Sequence, residues 1–303
     1  MNEPDLFAKS GLSLERLRSF LAVADAGAIA RAAPKNPVRQ SQLSRQIGEL
    51  EEFFGRALVE RRGRGLALTA AGTELAELVR RTLDGLRDVA RERDERIAIS
   101  IGAGDSLLHA WIIPRLAQRL STAKLGLAFT ACAGADVVER LDDGRLDLGI
   151  ARTRELSPTL RARALGTLHY ALYVPRSLAH GSIEELLANV PLAVPTGDPA
   201  FRQRLDTALA RAGVKLVPAL ACETFPQAQR AVATKRYAAI LPTFARAELP
   251  AAEFVERRDP LVDHPSPLSL AWSKKLERQR PKVVAFIEPI ARVLALAKRV
   301  TSE

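Results

Sequence analysis

The stretch RQSQLSRQ, Arg39 to Gln46, gathers amide, hydroxyl and guanidinium groups around a single leucine. Gln can pair with adenine through two hydrogen bonds, and Arg can pair with guanine in the same way. Gln40, Ser41, Gln42, Ser44 and Arg45 therefore form a set able to read base edges or to grip phosphates. A solvated helix face is the plain alternative. A second basic group, Arg61, Arg62 and Arg64, lies between the apolar pieces Leu58-Val59 and Leu66-Ala67-Leu68. An arginine-tipped hairpin of this kind can enter a minor groove or hold phosphates. Arg31 and Lys35 stand as flanking phosphate contacts. Residues 31–64 carry eight basic and four acidic residues, a local net charge of +4. That is a modest footprint for a nucleic acid, not a polybasic arm.

Those groups need elements to hold them. Leu14, Leu17, Leu21 and Ala24 share one helical face, with Phe20 beside it. Ser13 suits the start of that helix and Gly27 its end. A second helix from about Ala28 carries Ile29, Ala32 and Ala33 and cannot run past Pro34. Pro37 is expected to close the turn, so that a third helix begins near Arg39 or Gln40 and buries Leu43, Ile47, Leu50 and Phe54. Three short helices with small residues at their crossings follow helix-turn-helix logic, and residues 57–68 add a two-stranded wing. From residue 70 to 94, Ala71, Leu75, Leu78, Val79, Leu83, Leu86 and Val89 form one stripe. It predicts a helix of about 25 residues, roughly 37 Å long. Arg80, Arg81 and Asp84 are expected on its outer face, and its stripe needs a partner, most simply a copy in a second chain.

Beyond residue 96, strand-like and helix-like runs alternate. Strands are expected at 97–101, 125–129, 146–150, 168–175, 192–194, 215–220, 238–242 and 268–272, with helices at 199–212, 226–234 and 281–299 among the intervening segments. This argues an α/β region with a mostly parallel sheet. Ligands in such sheets sit outside the carboxyl ends of strands, and two α/β units leave a cleft between them. Strand ends nominate Asp105 and Ser106, then Thr130, Ala131 and Cys132, then Arg152 and Thr153. In the second unit they nominate Thr196, Cys222, Glu223 and Thr224. Small hydroxyls at helix starts, with an excess of basic charge, favour an anionic ligand such as a carboxylate.

Composition bounds the rest. The chain has 303 residues, 45 Lys and Arg against 35 Asp and Glu, and a net charge of +10. Residues 1–95 hold 16 basic and 15 acidic residues, so most of the excess falls on the C-terminal region. An apolar share of 47% can bury real cores. No run of 18 apolar residues occurs, and the first residues lack the basic-then-apolar order of a signal peptide, so a cytoplasmic protein without a membrane partner is expected. The four histidines have no ligand spacing, GAGDS at 102–106 lacks a phosphate-loop ending, and no nucleophile has a base in sequence reach. No catalytic residue, metal or cofactor is therefore nominated. Two cysteines, Cys132 and Cys222, make no disulfide framework. A cytoplasmic small-molecule-binding protein, or an enzyme using the same cleft with an accessory N-terminal domain, is the alternative reading.

Leu17, Phe20 and Val23 are followed by Gly27, Ala32 and Ala33. Then come Val38, Gln40, Ser44, Ile47, Leu50, Glu51 and Gly55, and finally Leu58, Arg61, Leu68, Thr69, Ala71 and Gly72. In this run the chain resembles the LysR family of bacterial transcription regulators. Gly144-Arg145-Leu146-Asp147 and Ala239-Ile240-Leu241-Pro242 extend the likeness into the C-terminal region. The turn at Pro34, Asn36 and Pro37 departs from the family pattern, as do Arg39, Ser41, Gln42 and Val59. The resemblance implies a winged helix-turn-helix DNA-binding domain over residues 1–70, a dimerising linker helix over 71–95 and a two-lobed, periplasmic-binding-protein-like α/β effector domain over 96–303. Lobe I would be about 96–164 plus 268–303, and lobe II about 165–267. It implies double-stranded DNA, a small-molecule effector and further copies of the chain, as a dimer of dimers, for partners. RNA polymerase would be a further partner.

Overall fold

The computed structural model describes residues 11–62, 65–90, 96–120, 125–216 and 218–296. The chain opens with helix α1, Leu14–Ala26, whose cap Ser13 accepts the Arg16 N–H and whose end is Gly27 at φ 63. A short α2, Ile29–Ala32, leads to α3, Pro37–Phe54. Here the structure corrects the expected start. Pro37 does not close the turn but opens the helix, two residues before Arg39. Its missing N–H falls where a helix has no intrahelical acceptor, and Asn36 caps the helix by accepting the Arg39 N–H at 3.0 Å. Strands β1, Val59–Arg62, and β2, Gly65–Leu68, pair antiparallel with Val59 opposite Leu68, forming the wing. Glu51 of α3 accepts the N–H groups of Leu58 and Val59 at 2.8 and 3.1 Å, so the wing is anchored to the third helix. Phe20, Leu21, Leu50, Leu58, Leu75, Ala76 and Val79 form one core, and Val23, Ala33, Leu43 and Ile47 a second.

The linker helix α4, Ala70–Ala90, continues directly from the wing. Gly72 in its first turn meets the wing root: a Cβ there would lie 1.9 Å from the Leu58 carbonyl oxygen. Leu75 and Val79 pack against α1, whereas Leu78 and Leu86 are 55% and 46% exposed. Arg80 and Arg81 overturn the expected charged outer face. Arg81 is only 3% exposed and donates to the carbonyl of Leu141 at 2.8 Å. Arg80 donates to the carbonyl of Asp143 at 3.2 Å and pairs with Asp25 of α1 at 2.5 Å. Lys275 pairs with Glu77 at 2.7 Å. The apolar stripe alone could not reveal this, because the acceptors are backbone carbonyls some sixty residues away.

The C-terminal region builds two sheets. The first has the order β4-β3-β5-β12-β6, from β3 Ile97–Ala103, β4 Leu125–Ala131, β5 Leu148–Arg152, β6 Leu160–Leu168 and β12 Ser266–Ser273. The second contains β7 Tyr170–Pro175, β8 Leu192–Pro195, β9 Pro218–Cys222, β10 Ala239–Pro242 and β11 Phe254–Arg257. There β10-β7-β11 form one ladder and β8-β9 another, joined by the bridge Leu192–Ala238. The sheets are mixed rather than mostly parallel. β3 runs parallel to β4 and β5, but β12 returns from the second lobe and pairs antiparallel with β5 and β6.

Strands β6 and β11 are absent from the sequence reading, and β9 lies at 218–222 rather than 215–220. Since β6 keeps Leu165 to Leu168 in the first sheet, the chain leaves that lobe at His169, not near residue 164. The expected helix 281–299 is three pieces over its described part and the residues just before it, Lys274–Gln279, Pro281–Val284 and Ile287–Val293. Residues 297–299 of that expectation, like Arg64 of the wing and residues 91–94 of the linker, lie outside the described residues.

Two crossovers join the lobes. Asp263 on the returning segment accepts the Tyr170 N–H at 3.0 Å and contacts His169 Nδ1 at 2.8 Å, clipping the outgoing crossover to the incoming one. Asp147, of the Gly-Arg-Leu-Asp run, is buried. It accepts the Ser100 N–H at 2.8 Å and pairs with buried Arg280 at 2.6 Å, tying β3 to the last helices. Gly144, at φ 73, leaves room for Arg81: a Cβ there would lie 2.9 Å from its Nε. No helix among the described residues is long and apolar enough to cross a membrane.

Candidate functional site

The α3 surface divides sharply. Leu43, Gln46, Ile47 and Leu50 are buried, while Ser41, Ser44 and Arg45 are exposed. Gln46 serves structure, donating to Glu15 of α1 at 3.1 Å. Gln40 donates its side-chain amide to the Ala33 carbonyl at 2.8 Å, bracing α3 against the end of α2. Arg39 donates to Gln42 at 2.8 Å and so orients its amide. Arg45 is exposed, with Glu49 at 3.6 Å one turn away. Val38, in the first turn, is 82% exposed, an apolar side chain able to meet a thymine methyl. Site reasoning by polarity passed over it; its exposure shows only once α3 is seen to start at Pro37. Arg31 and Lys35 are exposed around the turn, and Lys35 adopts φ 57. The Arg31 guanidinium covers the Gly27 backbone next to the wing. Arg61 and Arg62 are exposed on β1.

The nominated cleft residues fall at the carboxyl ends of neighbouring strands. Asp105 and Ser106 follow β3, and Asp105 is exposed. Thr130 and Ala131 end β4, and Cys132 hydrogen-bonds back to the Ala103 carbonyl. Arg152 ends β5, and the Thr153 hydroxyl lies 2.8 Å from that of Ser269. In the other lobe, Thr196 follows β8 and its hydroxyl donates to the Cys222 carbonyl at 2.9 Å. Thr224 caps the helix Phe225–Ala233 in a reciprocal arrangement with Gln227, while Glu223 is exposed. The hydroxyls of Thr196 and Thr224 are thus engaged with backbone.

Arg152 makes a direct side-chain contact between the lobes. Its Nη2 pairs with the Asp198 carboxylate, and its Nη1 donates to Glu155 at 3.1 Å. Burial works against the Arg152 charge, but Asp198, Tyr170 and Glu155 together more than offset it, so the guanidinium is held above its ordinary pKa. Asp198 also caps the helix Pro199–Arg211 by accepting the Phe201 N–H at 2.9 Å. Arg204 on that helix was not nominated. Its Nε and Nη2 are buried without a hydrogen-bond partner among the described residues, and burial, then the nearby charges of Arg152 and Arg154, lower its pKa. A charged residue three positions after buried Phe201, on the same helical face, is the sequence signal that would have found it. Tyr170, Phe201 and Phe225 form an aromatic bed, with the Tyr170 and Phe201 rings stacked at 4.6 Å. Burial raises the pKa of both cysteine thiols. Among the described residues, no group of three or more His, Cys, Asp or Glu is placed to hold a metal ion.

Comparison with known proteins meets this architecture at both ends. Residues 14–73 match the family described as bacterial regulatory helix-turn-helix protein, lysR family, and residues 92–295 match the LysR substrate binding domain. The regulator ClcR of Pseudomonas putida is 35% identical over 148 residues, 46% of this chain and 50% of its own length. BbuR of Bordetella bronchiseptica is 29% identical over 220 residues, 68% of this chain and 67% of its own. With PecT of Dickeya dadantii at 52% of its length, the chain spans about half the length of the first curated relatives it matches. Among solved structures, ArgP of Mycobacterium tuberculosis shares the fold at a TM-score of 0.69, with 19% identity over 95% of this chain and 99% of that one. CbnR, a LysR family transcriptional regulator, superposes at 0.51 with 26% identity over 92% of this chain and 100% of that one. A winged helix-turn-helix, a linker helix and two α/β lobes in that order, with family matches over residues 14–73 and 92–295, make this chain a member of the LysR family.

Proposed function

We propose that this protein is a sequence-specific transcriptional regulator that binds double-stranded DNA and responds to a small anionic metabolite held between its lobes. The observation that carries the reading is the split surface of α3. Its inner face is locked by Gln46 and Glu51, and its outer face presents Val38, Ser41, Ser44 and Arg45. A helix fixed in this way can keep register in a major groove. Arg45 and Gln42 would read base edges. Gln40 would hold the helix start, while Ser41, Ser44, Arg31, Lys35, Arg61, Arg62 and Arg64 would contact phosphate or minor groove. A crystal structure of CbnR in complex with its target DNA, at 25% identity, supports the use of this architecture on DNA.

The proposed division is a DNA-binding head over residues 1–70, a linker over 71–95 and an effector domain over 96–303. Exposed Leu78 and Leu86 on α4 support a homodimer through the linker, which a dimer of dimers would extend. RNA polymerase would be a further partner of that assembly. Arg152, Arg154 and Arg204 concentrate positive charge where the lobes meet, which supports an anionic effector and makes Asp105, Ser106, Thr130, Thr153 and Glu223 secondary contacts. Gel-shift titration on DNA selected from a random pool, at several salt concentrations, tests the reading. Affinity should fall steeply with salt, and Arg45→Ala should weaken the selected site by about 1–3 kcal/mol while leaving non-specific binding nearly intact. Salt-independent binding, or no sequence enriched by the selection, would sink it.

A further inference from the structure

The ion pair between the lobes has an unusual division of labour. The Oδ1 atom of Asp198 accepts the Phe201 N–H and so serves its own helix. Its Oδ2 atom reaches out of that lobe to Arg152, at the end of β5 in the other. Both side chains are largely shielded from water, so the pair is screened far less than a surface one. Arg204, six residues further along the same helix, feels the Arg152 charge and has two buried nitrogens without an acceptor among the described residues. At another point between the lobes, His109 Nε2 approaches Glu248 at 3.8 Å. Arg152 therefore already holds two carboxylates, Asp198 and Glu155, while the buried Nε and Nη2 of nearby Arg204 have no acceptor among the described residues.

A metabolite carboxylate seated on Arg152 needs the position that Asp198 Oδ2 holds. We propose that Asp198 is a tethered stand-in for the effector's carboxylate. It latches the lobes together by occupying Arg152, and the effector acts by displacing it and bridging Arg152 to Arg204. This rests on the reading that an anionic effector binds between the lobes. The latch makes the response a competition: Asp198 sets the ligand concentration needed, and the lobe arrangement changes because one end of the ion pair leaves.

Asp198→Asn is the informative variant, since Asn keeps the helix-capping oxygen and removes the charge. The full-length chain and this variant would be titrated calorimetrically with a set of mono- and dicarboxylates, including sodium benzoate and sodium succinate. The variant should bind about tenfold or more tightly than the parent, and adding Arg152→Ala should abolish the gain. A thermal double-mutant cycle on Asp198→Asn and Arg152→Ala supplies a ligand-free readout, and the two losses should be non-additive. Equal or weaker carboxylate binding by Asp198→Asn would overturn the stand-in and leave the anionic effector standing. Binding by neither protein would overturn both. Additive losses in the cycle would show that the pair contributes no latch, and would overturn the proposal whatever the titrations gave.

Discussion

Burial decides what each thiol can do. Cys132 sits at the end of β4 against Gly102, and Cys222 is buried at the end of β9, so both have pKa values above the ordinary thiol value. A raised pKa leaves less thiolate at neutral pH, and thiolate is the reactive form. Both cysteines of the native protein should therefore alkylate with iodoacetamide more slowly at pH 7 than a free cysteine, and accelerate only at a higher pH than a free cysteine does. Reaction at pH 7 as fast as a free thiol would contradict this. The same distinction between residue type and environment limits what the sequence could say about the site. Arg152 was legible because it ends a strand. Arg204 was not, since it reaches Arg152 only through the tertiary fold. Gln40 looked like a base reader from its type, yet its amide N–H is bound to the Ala33 carbonyl.

At the scale of elements, glycine positions explain why several motifs read so clearly. Gly72 opens α4 hard against the wing, and a Cβ there would collide with the Leu58 carbonyl, a backbone atom that cannot swing aside. Gly72→Ala should therefore destabilise the N-terminal domain by about 2–3 kcal/mol. Chemical denaturation followed by far-ultraviolet circular dichroism would measure it, and a midpoint unchanged from the parent would refute the packing argument. α1 and α3 were legible because each has an apolar period and a marked stop: Gly27 and Gly55 both adopt positive φ. The start of α3 was misread because proline breaks helices everywhere except in the first turn. β6 was invisible for a different reason. Its run LRARALGTL buries only Leu160, Leu165 and Leu168, so exposed edge residues mask any alternation.

Over the whole molecule, Arg80 is the joint, touching Asp25 of the helix-turn-helix head and Asp143 of the first lobe from the linker between them. The two-lobed organisation was legible from alternating strands and helices, but the route of the chain was not. Ser266 pairs with Leu168, so β6 and β12 meet as neighbours and everything from Tyr170 to Asp263 is inserted between two adjacent ladder partners. A ribosome therefore delivers the second lobe complete before the first lobe receives its β12 strand or Arg280, the ion-pair partner of Asp147. Domains generally fold as units during synthesis. Nascent chains stalled with residues up to 265 outside the exit tunnel should protect 170–263 from protease while leaving 97–168 susceptible. Protection of the earlier segment first would reverse the order. The lobe made later in sequence would thus be born folded, and the earlier one would wait, half-built, for its closing strand.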